Sequence, residues 1–200
     1  MRQTCSIYPP AYQLTVRCYG TRLHGCAEGS VSRYQNEYGT PTIKPDDDLL
    51  ETMLRRMKQK PYSLDQTRRS IVRDSVIEVC RYRKWSLFAL HIRTNHLHSI
   101  VGAPSPPEPV MDDFKEYCSR NLNRARIDPE KRRRWARHGS TDYLWTRERF
   151  LGALKYVLYE QGLRMEVYIN SKLIKEELGI DLPPDLVGIR KWFKDTERHL

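Results

Sequence analysis

His96 and His98 stand two positions apart in HLHSIVG, a run of strand-forming residues. Alternation along a strand sends both imidazoles to one face and Leu97 to the other. Two imidazoles side by side offer two nitrogen ligands to one divalent ion. On spacing alone, a pair of exposed strand histidines is the commoner reading. It is the apolar character of the strand that asks for a reason to place polar rings there. The second reactive group is a phenol. Of the 12 tyrosines, Tyr156, Tyr159 and Tyr168 lie on or just after an apolar helical segment. Tyr156 is followed one helical turn later by Glu160, on the same face, whereas Tyr159 has Leu163 at that offset. A carboxylate there would complete a metal shell beside the histidines, with the phenol facing the same ion. The competing reading of Tyr156 is a packing residue with its hydroxyl at the rim. His91 reads as structural, and His24, His138 and His199 have no partner in sequence.

These groups need elements to position them. YQLTVRCY (Tyr12–Tyr19) alternates and is rich in β-formers, which predicts a first strand. A polar loop follows to about Asp46, with a short β segment expected near Leu23. PDDDLLETMLRRMKQK carries acids at its start and bases at its end, matching a helix dipole. Leu64, Ile71, Val72, Val76 and Val79 fall at helical spacing and predict a long helix from Ser63 to about Arg83. WSLFALHIR and HLHSIVG, separated by Thr94 and Asn95, read as a β-hairpin. Val110 to Arg126 is a second long helix with Phe114, Tyr117, Cys118 and Leu122 as its buried stripe. YLW (Tyr143–Trp145) reads as a short strand, and RERFLGALKYVLYEQG as a third helix. Further helices are expected over Ser171–Leu178 and near Leu186–Arg198, broken by Pro183 and Pro184. Strand, helix, strand, strand, helix, strand is the ferredoxin-like alternation. It predicts an α+β fold, an antiparallel sheet with helices mainly on one face and a C-terminal helical extension.

The bulk composition narrows the classes. With 39% hydrophobic and 30% charged residues the chain is globular rather than disordered. A net charge of +10 favours a polyanionic partner, because neutralising phosphates releases counterions. The five cysteines are odd in number and contain no C-x-x-C pair, which argues against a disulfide framework and a cysteine zinc site. The first residues lack an apolar signal region and no run approaches membrane-spanning length, so a cytoplasmic protein without a membrane partner is expected.

NHLHSIV resembles the signature of the single-tyrosine HUH endonucleases, histidine, bulky apolar residue, histidine. YGTRLHG, RTNHLHSIV, RHGSTDYLW and ALKYVLYEQG, in that order, resemble the REP-associated tyrosine transposases and the small insertion-sequence transposases that act on single strands. The likeness runs from about Tyr12 to Tyr168 and implies an HUH domain over 1–168 and an extension over 169–200. It implies that His96 and His98 bind Mg²⁺ or Mn²⁺ and that Tyr156 is the nucleophile. The enzyme would then cut and rejoin single-stranded or hairpin DNA through a 5′-phosphotyrosine link. The family's third ligand is an amide four residues after its tyrosine. This chain has Glu160 there and Gln161 next; Glu160 is the first choice, since a carboxylate suits these ions. Lys115, Arg120, Arg124, Arg132, Arg133 and Arg134, with Trp135 nearby, are the expected DNA contacts. The alternative is a domesticated hairpin-binding protein of the same fold that no longer cuts. A third reading, an RNA-binding module, lacks the aromatic-rich motif of that class. Monomer and homodimer both stay open.

Overall fold

In the computed structural model, residues 8–27, 44–128, 131–183 and 185–196 are described. Along the chain run β1 (Ala11–Cys18), α1 (Asp47–Arg55), α2 (Gln66–Arg83), β2 (Ser86–Ile92), β3 (His96–Gly102), α3 (Pro107–Arg124), β4 (Trp135–Leu144), α4 (Arg147–Tyr159), β5 (Glu166–Ile169), α5 (Ser171–Leu178) and α6 (Leu186–Thr196). The strands form one sheet in the order β4-β1-β3-β2-β5. Every pairing is antiparallel. The fold is therefore α+β, with the ferredoxin-like strand order extended by β5 beyond β2.

The helices start and stop where local chemistry dictates. Asp65 caps α2 by accepting from the Arg68 N–H, and Thr146 caps α4 by accepting from the Arg149 N–H. Prolines at the start of α3 cost nothing there, because the first N–H groups of a helix lack intrahelical partners.

Helices cover both faces of the sheet, which corrects the expectation of one covered face. On one side, Leu14, Val16, Leu90, Ile92, Leu97 and Val101 pack against Val72, Val76 and Val79 of α2 and Val110, Phe114 and Cys118 of α3. On the other, Phe88, Ala89 and Ile100 pack against Phe150, Leu154 and Val157 of α4, and against Ile174, Ile189 and Phe193 from α5 and α6. The central strands are apolar on both sides, as strands covered on both faces are. A register shift between Leu87 and Ala89 places neighbouring Phe88 and Ala89 in the same α4-side core.

Three element readings change. β4 is ten residues long where only Tyr143–Trp145 was expected, because its exposed edge position leaves little apolar alternation to see. β5 was not anticipated, and the boundary read at 168/169 falls inside it. Residues 21–27, around Leu23, form turns and bends rather than a strand. The rest of that loop, 28–43, lies outside the described residues, as does the end of the last expected helix from 197. Gly139 permits the close passage of β4 over β1: a Cβ there would come 2.4 Å from the Thr15 carbonyl oxygen and 2.6 Å from Met111 Sδ.

Candidate active site

β1 and β3 pair so that Thr15 lies opposite His98 and Arg17 opposite His96. Side chains of directly opposed residues share a face, so these four point to the α4 side. Thr15 Oγ1 lies 2.9 Å from His98 Nδ1, and Asn95 Oδ1 lies 2.6 Å from His96 Nδ1. With each oxygen accepting an Nδ1–H, the lone pair of each ring sits on Nε2. His98 is 3% exposed, and its Nε2 is buried with no hydrogen-bond partner among the described residues. A buried polar atom left without a partner is costly, and its presence here asks for a ligand.

The third ring belongs to α4. Tyr156 stands edge-on to His98 with ring centroids 5.3 Å apart, and the two histidine rings are 4.7 Å apart. Although Val157 and Leu158 beside it are buried, Tyr156 remains 38% exposed. Tyr159, one turn on, packs on Phe193 at 5.7 Å and belongs to the core; Tyr168 packs on the α2 side. His91 holds α4 in place. Its Nδ1 meets the Val157 carbonyl at 2.8 Å, and its Nε2 accepts from the Met165 N–H at 3.4 Å, so both nitrogens are engaged.

The site's electrostatics are one-sided. Burial, followed by Arg17 and Arg93, pushes His96 down to about 4; burial, followed by His96, pushes His98 down to about 3. The Gln161 amide interacts with both rings and opposes that shift. Both imidazoles are therefore neutral at physiological pH, the form that ligates a metal. Burial and then Arg22 lower the Arg17 guanidinium, which also feels the Tyr156 phenol.

Glu160 is the C-cap of α4, and its carboxylate lies 3.6 Å from Lys155 Nζ, with half its side chain exposed. Among the described residues no three of His, Cys, Asp and Glu gather as a metal cluster. The Glu160 N–H still donates to the Tyr156 carbonyl at 3.2 Å, closing the last turn of α4. Gln161, in the turn beyond, donates from Nε2 to the Tyr156 carbonyl at 3.2 Å and influences the electrostatics of both histidines.

Lys115, Arg120 and Arg124 belong to α3, which packs on the face opposite the histidines. Lys115 is tied to Asp112 at 3.2 Å and to the Arg137 carbonyl at 2.9 Å. Arg120 stacks over the Tyr117 ring at 3.9 Å and lies 3.5 Å from Glu78, while Arg124 reaches Asn121 at 3.4 Å. Arg134 is buried, 2.6 Å from Asp128, in a network with Arg68 and Tyr62. Arg132 donates to the Lys60 carbonyl at 3.0 Å, and Arg133 is exposed with its backbone N–H on Gln59. The run looked uniformly basic because sequence cannot show which guanidiniums find carboxylates. The residues missed near the histidines, Thr15 and Arg17, sit in an apolar β1 whose register alone brings them there.

No family model matches this chain, and no curated protein matches it. Among solved structures it is similar to the "Structure of the REP associates tyrosine transposase bound to a REP hairpin", at 12% identity and a TM-score of 0.45, over 80% of this chain and 71% of that one. The α+β fold rests on the chain's own strand order and registers.

Proposed function

We propose that this chain is a metal-dependent single-strand DNA nicking and joining enzyme of the transposase type, with Tyr156 as nucleophile. The observation that carries the reading is the orphaned, buried Nε2 of His98, beside a second histidine and edge-on to a half-exposed tyrosine. The residues present fit a divalent cation: His96 and His98 through Nε2, and Gln161 through its amide oxygen in place of Glu160. A bound Mg²⁺ or Mn²⁺ supplies Lewis-acid polarisation of a phosphate oxygen and electrostatic support for a phenolate.

The Tyr156 phenol must give up its proton as its oxygen attacks phosphorus. The phenolic oxygen–phosphorus bond forms as the bond from phosphorus to the 3′-oxygen breaks. The departing strand takes up a proton as a 3′-hydroxyl, and the other strand stays joined to Tyr156 through its 5′-phosphate. Because the phosphodiester is conserved in that link, a 3′-hydroxyl of another strand can reverse the step and be joined. Neutral histidines and a cationic surround suit a polyanionic substrate.

The test incubates the purified protein with single-stranded hairpin DNA and Mn²⁺, then looks for a denaturant-resistant protein–DNA adduct. Wild type is expected to form it; Tyr156→Phe and His98→Ala are not, and chelation abolishes it. Hairpin binding without any adduct would establish the non-cleaving alternative. An adduct that survives in Tyr156→Phe but not in Tyr159→Phe would move the nucleophile.

A further inference from the structure

The geometry points to Arg17 as the residue that grips the DNA phosphodiester beside Tyr156, an inference that rests on the strand-cleavage reading above. Arg17 is a half-buried arginine in the middle of the active face, opposite His96 in the β1–β3 register and next but one to Thr15, which holds His98. Its electrostatic neighbours are the Tyr156 phenol, the Arg22 guanidinium, the Cys26 thiol and the two histidines.

No ion pair joins Arg17 to a carboxylate among the described residues. Several arginines elsewhere are matched: Arg68 and Arg134 to Asp128, Arg73 to Glu166, Arg83 to Asp113, Arg149 to Asp142. Arg69 and Arg93, which also lack a carboxylate among the described residues, donate instead to the Leu64 and Leu163 carbonyls. A half-buried cation beside a second cation is unfavourable unless an anion completes it. The anion must reach Arg17 from the open side where Tyr156 is exposed, and it must be compatible with two neutral imidazoles. A phosphodiester satisfies both conditions, and a guanidinium presents the planar pair of donors that two phosphate oxygens accept. Arg17 would then orient the linkage for attack and stabilise the charge that builds on the phosphoryl oxygens as the phenol adds. The edge strand is open on this side too: Ser140, opposite Thr15, and Asp142, opposite Gln13, are exposed, leaving a path across β1 and β4 to Arg17.

Arg17→Gln, Arg17→Lys and wild type are compared in two measurements. The first is binding of an oligothymidylate of about 16 nucleotides, by fluorescence anisotropy in chelator over a range of salt. One phosphate contact contributes about 0.7 to the slope of log affinity against log salt for a single strand. Arg17→Gln is expected to lower the slope by about that amount, and Arg17→Lys, which keeps the charge, to restore it. The second is the single-turnover rate of adduct formation on hairpin DNA with Mn²⁺. Arg17→Gln is expected to slow it by about 100-fold, with Arg17→Lys between the two because it lacks the fork. A Gln variant matching wild type in both slope and rate overturns the role of Arg17 while leaving the cleavage reading intact. If wild type forms no adduct but the slope still falls in Arg17→Gln, the cleavage reading fails and the phosphate contact stands.

Discussion

The two nitrogens of His98 have different fates, and the site's chemistry follows from the difference. Nδ1 is held by the Thr15 hydroxyl at 2.9 Å, which fixes the ring and leaves Nε2 as the bare donor. Partners of this kind typically change metal affinity by about 10–100-fold. Thr15→Val, similar in volume but without the oxygen, is expected to weaken Mn²⁺ binding within that range, read from the electron paramagnetic resonance of free Mn²⁺. Thr15→Ser should retain it. The same measurement separates the two C-terminal options. Glu160→Ala should leave the affinity within about twofold of wild type, because its carboxylate is turned to Lys155, whereas Gln161→Ala should weaken it by about tenfold. The reverse result would return Glu160 to the metal shell. The histidine pair and Tyr156 were readable as residue types at a spacing. Thr15, Arg17 and Gln161 were not, since a threonine or arginine in a strand carries no mark of what lies on the neighbouring strand.

At the scale of elements, α4 is the part that must be placed correctly. Its apolar stripe of Phe150, Ala153, Leu154, Val157 and Leu158 is buried, which is why Tyr156 can only emerge at the helix edge. Leu154 is fully buried against the sheet. Leu154→Ala should cost about 2–5 kcal/mol by lost burial and a residual cavity, measured by urea unfolding. His91 adds a polar tie by binding the carbonyl of the residue next to Tyr156 and the Met165 N–H. The helices and the β2–β3 hairpin were legible because their periodicity is strong. β4 was not, because this edge strand mixes Arg, His, Ser, Thr and Asp in no clean alternation, and β5, EVYI, is only four residues long. The basic segment before β4 misled for a related reason: Arg134 is held inside by Asp128, and a charge run does not reveal which members are neutralised.

Two cores, one on each side of a single sheet, govern the behaviour of the whole molecule. Ile174, Ile180 and Ile189 from the C-terminal segment are fully or almost fully buried in the α4-side core. Ending the chain after Ile169 should therefore remove the cooperative unfolding transition, where a detachable extension would leave it unchanged. Acid sensitivity follows from the same burial. His91 is shifted down by burial, and His96 and His98 lie at about 4 and about 3, all below the unfolded imidazole value near 6.5. As pH falls below about 6.5 the unfolded chain takes up protons that the native state refuses, so stability is full above that value. It is lost progressively as pH drops towards about 4 and below. Metal-free protein should thus show a lower urea midpoint at about pH 5 than at about pH 7.5, and His96→Asn/His98→Asn should flatten that dependence. No described helix is long and apolar enough to cross a membrane.

The sequence by itself determined the helices, the central hairpin and the identity of two imidazoles on one strand face, because each is encoded in residues close along the chain. Only the tertiary structure decided which side of the sheet α4 covers, that Thr15 holds His98, and that Arg17 rather than the Arg132–Arg134 run stands beside the histidines. Those outcomes depend on strand register and on the competition among distant carboxylates for each arginine, and neither leaves a local periodicity to read.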